Sequence, residues 1–76
     1  MKDLIHYIAT SLVDNPEQVK VNETEQDDTI IIELTVAKED LGKVIGKQGR
    51  TAKAMRALLG SAAGKINKRS RLEIME

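Results

Sequence analysis

Apolar residues recur at helical spacing near the start of the chain, alternate with a period of two through its middle, and return to steps of three and four towards its end. From Lys2 to Val13 the residues Leu4, Ile5, Ile8, Leu12 and Val13 predict a helix, with Asp3 near the positive end of its dipole. Asn15-Pro16 stops it, because a residue before proline is pushed out of the α region. Val19-Lys20-Val21-Asn22 then alternates as a short strand, and Gln26-Asp27-Asp28 forms a polar turn. Thr29 to Val36 is the strongest strand signal. It is rich in β-branched residues, with Ile30, Ile32, Leu34 and Val36 on one face and Ile31, Glu33 and Thr35 on the other.

After Val36 the period changes. Lys38-Glu39-Asp40 opens a short helix carrying Leu41, Val44 and Ile45, which Gly46 closes. A longer helix follows Gly49. Its stripe Ala52, Met55, Leu59, Ala62 and Ile66 is expected to face the sheet, and Gly60 and Gly64 are expected to fray or bend its last turns. The chain finishes in a strand from Arg71 to Met75, with Leu72 and Ile74 alternating with charged neighbours. The order helix, strand, strand, helix, helix, strand predicts an α+β domain in two layers, a three-stranded sheet covered on one face by three helices.

The length of 76 residues leaves room for one domain, 1–76, with a thin core. With no cysteine and the single histidine His6, neither a disulfide framework nor a zinc site can supplement that core, and no metal or cofactor is expected. No apolar run approaches the ~20 residues of a membrane span, and no signal segment is visible, so the expectation is a soluble cytoplasmic protein. The net charge of zero hides an asymmetry. All 12 acidic residues lie outside Leu41 to Leu72, whereas Lys43, Lys47, Arg50, Lys53, Arg56, Lys65, Lys68, Arg69 and Arg71 lie inside it. One basic half suggests a polyanion partner; the bland alternative is a solvated helix surface complementing a helix dipole.

The chemistry concentrates in Lys43-Val44-Ile45-Gly46-Lys47-Gln48-Gly49-Arg50, with Lys53 one turn further on. Two glycines three apart permit a tight turn and let a nucleic-acid backbone approach with no Cβ in the way. The second leads into a helix N-terminus, where free N–H groups and the dipole favour an anion. Lys43, Lys47, Arg50 and Lys53 add positive charge, and Val44 and Ile45 are expected to supply an apolar wall for bases. A P-loop needs one more residue between its glycines and Ser or Thr after the lysine, where this chain has Gln48. No dinucleotide-binding G-x-G-x-x-G is present. A plain helix–helix turn is the remaining alternative for Gly46 and Gly49.

Val44-Ile45-Gly46-Lys47-Gln48-Gly49-Arg50 resembles the signature of the KH domain, whose G-x-x-G loop clamps the backbone of about four nucleotides. Two strands before the helix pair and one after it resemble the type II arrangement found in bacterial proteins. The whole chain is similar to the small bacterial single-KH proteins of the KhpA (YlqC-like) family. The resemblance implies non-catalytic binding of single-stranded RNA, as a post-transcriptional regulator or RNA chaperone. It also implies a homodimer, or a heterodimer with a larger Jag-like KH-containing RNA-binding protein, so that an adaptor acting mainly through dimerisation is the alternative function.

Tyr7 is the one aromatic residue, and it lies outside the binding stretch, so base contacts must be aliphatic packing and hydrogen bonds rather than stacking. Tyr7 is expected to be partly buried in the core and His6 to be exposed. Ser11, Ser61 and Ser70 have only His6 as a conceivable base, and the acidic pairs Asp27-Asp28 and Glu39-Asp40 suit a solvated turn and a helix start, so no catalysis is expected. A second stripe on the long helix, Ala54, Leu58 and Ser61, flanked by Gly60, Ala63 and Gly64, is the candidate dimer interface.

Overall fold

The computed structural model describes residues 1–75. Helix α1 spans Lys2–Leu12, strands β1 and β2 span Lys20–Gln26 and Thr29–Thr35, helices α2 and α3 span Leu41–Ile45 and Arg50–Gly64, and strand β3 spans Arg69–Met75. Single 3-10 turns at Pro16–Gln18, Lys38–Asp40 and Lys47–Gly49 join them. The sheet order is β1-β2-β3. β1 runs antiparallel to β2 through a turn in which Asp27 and Asp28 both have positive φ, 51° and 62°, as a two-residue hairpin of the I′ class requires. β3 runs parallel to β2, from Thr29 opposite Arg69 to Thr35 opposite Met75, because the α2–α3 crossover returns the chain to the same end of the sheet.

Ile30, Ile32 and Leu34 of β2 turn one face to the helices and meet Ile5 and Ala9 of α1, Val44 of α2, Met55, Leu59 and Ala63 of α3, and Leu72 of β3 in one core cluster. The α+β order expected from the periodicity is present. Its details differ where polar residues or small residues carry the structure. β1 is longer than Val19–Asn22, because its second half, Glu23 to Gln26, is exposed and is held by backbone pairing with β2 rather than by burial.

Tyr7 is 72% exposed rather than partly buried. The core face of α1 is Ile5 and Ala9, with buried Val13 just beyond its end, and a residue two positions from Ile5 and Ala9 points the other way. His6 is exposed, as expected. α3 runs to Gly64 without a break at Gly60. Its buried positions are Ala52, Met55, Leu59 and Ala63; Ala62 is half-buried, and Ile66 is 52% exposed in the turn beyond the helix, where Asn67 has a φ of 58°.

Asp40 was expected to do no more than open a helix, yet its side chain is fully buried. It accepts hydrogen bonds from the backbone N–H of Asp14 at 3.2 Å, the backbone N–H of Asn15 at 3.0 Å and Asn15 Nδ2 at 2.9 Å, with Lys43 Nζ at 3.5 Å. One carboxylate thus fastens the end of α1 to the start of α2, five residues before Ile45 ends. Burial pushes its pKa up, but the Asn15 side chain, the Asp14 and Asn15 N–H groups and the Lys43 charge together hold it below the usual carboxylate value.

A carboxyl whose folded-state pKa is depressed contributes stability above its unfolded pKa and loses it as pH falls through the folded value. Asp40→Asn is therefore expected to lower the urea midpoint clearly at pH ~7 and by a smaller margin at pH ~3. A gap between parent and variant that stays the same across that range would show that the ionised carboxylate is not what joins the two helices.

Candidate nucleic-acid interface

α2 ends because Gly46 takes φ 78° and ψ 171°, a conformation open in practice to glycine alone. A Cβ at this position would lie 2.2 Å from Thr51 Oγ1, 2.7 Å from Thr51 Cβ and 2.8 Å from the Thr51 backbone nitrogen. The first turn of α3 therefore closes directly over the loop. The backbone N–H of Gly49 donates to the Gly46 carbonyl at 3.0 Å, and that of Arg50 donates to the Lys47 carbonyl, so the turn is tied within itself. Gln48 and Gly49 are both left-handed, at φ 57° and 75°; a Cβ on Gly49 would meet nothing within 4 Å. No side chain caps α3, which leaves first-turn N–H groups at the mouth of the loop.

Lys47, Gln48, Arg50 and Lys53 are all exposed around that mouth, with Arg50 Nη2 donating to Gln48 Oε1 at 3.0 Å. Ile45, Gly46 and Gly49 are half-buried beneath them. Two expected contacts stand elsewhere. Val44 has no exposed surface and belongs to the core, so Ile45 alone can offer an aliphatic wall. Lys43 is ion-paired with Asp14 and with buried Asp40, and the hydrogen bond it donates to the Asp14 carboxylate raises its pKa. Its charge is committed to holding α1 against α2.

Pairing also redistributes the basic half. Lys68 meets Glu25 at 2.6 Å and Arg71 meets Glu73 at 3.2 Å. Among the described residues Lys47, Arg50, Lys53 and Arg56 form no ion pair. Lys47 lies on the loop itself, and Arg50, Lys53 and Arg56 follow at steps of three on α3, where they are surface neighbours leading away from it. α3 carries no acidic residue.

Beside this row lies a groove lined by Arg56, Leu59, Ser70, Arg71, Leu72 and Glu73. Its far wall, β3, is an edge strand, with β2 on one side only. Arg56 Nη2 reaches the Leu72 carbonyl at 3.4 Å, so that carbonyl faces the free edge. Free edge groups and a hydroxyl are what a base edge could pair with. Arg56, Ser70 and Leu72 are additions to the sequence reading. The spacing of Arg50, Lys53 and Arg56 was a usable signal, whereas nothing in the pattern shows which strand is an edge.

Ala54, Leu58 and Ser61 lie together on the exposed side of α3, with Leu58 51% exposed. Among the described residues there is no group of His, Cys, Asp and Glu side chains that could hold a metal ion, and no helix is long and apolar enough to cross a membrane.

The family model described as "KhpA/KhpB, KH domain" matches residues 2–74. The chain is 57% identical over 76 residues to the RNA-binding protein KhpA of Chlamydia caviae, covering all of this chain and 97% of that one. It is 56% identical over 75 residues to the RNA-binding protein KhpA of Clostridium perfringens, covering 99% of this chain and all of that one. With its counterpart of that name from Halalkalibacterium halodurans it is 50% identical over 76 residues, the full length of both. No solved structure matches the chain.

Gly49 carries a left-handed penalty, whereas Gly46 lies in the extended positive-φ region closed in practice to other residues and also meets a wall. Gly49→Ala is expected to cost about 1 kcal/mol from its φ alone, and Gly46→Ala roughly 2–4 kcal/mol, as strain is joined by overlap with backbone that cannot rotate away. Equal losses in urea unfolding would mean that Thr51 does not close over the loop.

Proposed function

The chain belongs to the KhpA/KhpB KH-domain family, and we propose that it binds single-stranded RNA through the loop Gly46-Lys47-Gln48-Gly49. The family is non-catalytic, so binding is the whole of the chemistry. The observation that carries this reading is the loop mouth: open backbone at Gly49, uncapped helix N–H groups, and Lys47, Arg50, Lys53 and, beyond them, Arg56 with no ion pair among the described residues. Phosphates lie on the loop, where Lys47, Arg50 and Lys53 neutralise them. Bases then pass Ile45 and enter the groove towards Arg56, Ser70 and Leu72. Without aromatic stacking each base contributes little, which suits short, weak and exchangeable contacts of the kind a post-transcriptional regulator or RNA chaperone needs.

A second role rests on Leu58. A half-exposed leucine flanked by the small residues Ala54 and Ser61 gives a helix face that another helix can approach closely. Two-fold packing of α3 on α3 would bury this face and leave both loops open. The same face could take a larger Jag-like KH protein, a pairing in keeping with the two names that the family joins. In that case the chain acts as an adaptor as well as a binder.

Both roles have direct tests. Lys47→Asp with Gln48→Asp changes only exposed side chains, so the fold should persist while affinity for single-stranded RNA falls by about tenfold or more. For the parent, log K should decline with log salt at roughly −2 to −3, four cations at about −0.7 per phosphate. A folded double variant that binds like the parent, or a flat salt response, would remove the loop as the site. In sedimentation equilibrium at micromolar concentrations the parent should dimerise and Leu58→Asp should not. A monomeric parent, or a dimeric variant, would exclude this face.

A further inference from the structure

Gln48 is out of place among the residues whose backbone is left-handed. Among the described residues the non-glycine positions with positive φ are Asp27, Asp28, Gln48 and Asn67. Asp and Asn tolerate this region, because their short polar side chains hydrogen-bond to nearby backbone. Gln carries its amide one methylene further out and lacks that relief. At φ 57° it bears the crowding of its Cβ against the following carbonyl oxygen. Strain of this kind on an exposed loop points to a use for the side chain.

What the side chain offers is set by its neighbour. Arg50 Nη2 donates to Gln48 Oε1 at 3.0 Å, which occupies the acceptor end of the amide. Nε2 makes no hydrogen bond among the described residues, so the exposed side chain keeps two free N–H donors. The guanidinium keeps its charge, since a neutral amide does not neutralise it. Arg50 opens α3, so the amide is held beside the uncapped N-terminus of that helix.

We infer that Arg50 holds the Gln48 amide with its nitrogen outwards, and that this nitrogen donates to a phosphate oxygen of RNA on the loop. Arg50 is then a positioning residue for Gln48 as well as a cation. The inference rests on the RNA-binding reading above. It separates two kinds of contact at one loop. Lys47, Arg50 and Lys53 act by charge and weaken as salt rises, whereas an amide donor displaces no counterion and keeps its contribution. The orientation matters because an amide can turn either end outwards, and an outward carbonyl would repel the phosphate.

The test is a double-mutant cycle on the full chain. Gln48→Met keeps the length and the strain but has no amide; Gln48→Gly removes both; Arg50→Met removes the cation and the orienting bond. Each variant, and Gln48→Met with Arg50→Met, is titrated across a salt series with single-stranded RNA of randomised sequence, about four nucleotides long. Neither change at Gln48 should lower the urea midpoint. Both should weaken binding about fivefold, with the line of log K against log salt displaced but parallel to that of the parent. Arg50→Met should make that slope shallower by about 0.7, and adding Gln48→Met to it should cost less than the same change costs the parent. Unchanged affinity in Gln48→Met, or a flattened slope there, overturns the amide contact. Strictly additive losses overturn the positioning role of Arg50 and the inference with it. These outcomes leave RNA binding by the parent standing; a parent that binds no RNA overturns that reading itself.

Discussion

There is no room for a Cβ at position 46, and the arrangement of the site depends on that. Thr51 brings both its side chain and its backbone nitrogen into the space such an atom would fill. Two helices can meet this closely only if the residue between them is glycine in a left-handed or extended-positive conformation. The close meeting fixes where α3 begins and points its uncapped N-terminus outwards. It also sets the rotation of α3, and so decides that Ala52, Met55, Leu59 and Ala63 face the sheet while Arg50 and Lys53 face solvent. The backbone that a phosphate could approach, open at Gly49, thus stands beside a position that packing reserves for glycine.

The other half of the loop's support comes from α2, held by Asp40. A buried carboxylate with three N–H donors and a lysine is unusual in a domain with so small a core, because its desolvation must be offset by well-placed partners. Here the partners belong to the α1 end and to α2 itself, so the contact registers one element against another. It also withdraws Lys43 from the surface charge. The basic half of the sequence is therefore not uniform in the fold: Lys43, Lys68 and Arg71 are paired, while among the described residues Lys47, Arg50, Lys53 and Arg56 form no ion pair and lead away from the loop, and Lys65 and Arg69 form none beyond the far end of α3.

Much of the fold was legible in the sequence because its signals are local. The run Thr29 to Thr35 alternates, the G-x-x-G loop breaks the helical pattern, and Asn15-Pro16 ends α1. The misreadings were of three physical kinds. Small residues such as Ala9 and Ala63 fill core positions that a search for large apolar side chains passes over, which is how Ile66 and Tyr7 were assigned to an interior they do not enter. Polar strands are held by neighbours, so the second half of β1 was invisible. Burial of an ionised side chain depends on what arrives from elsewhere in the chain, so the role of Asp40, the pairing of Lys43 and the depth of Val44 could not be read from residues 38–50 alone.

The most direct measurement is a 15N–1H correlation titration of the full chain with single-stranded RNA. Binding at the loop requires amide shifts concentrated at Gly46 to Lys53 and continuing along Arg56 and Ser70 to Leu72, with α1 and the Asp27-Asp28 turn unmoved. Shifts centred on α1 or on the open face of the sheet, with the Gly46 and Gly49 amides unchanged at saturation, would contradict it.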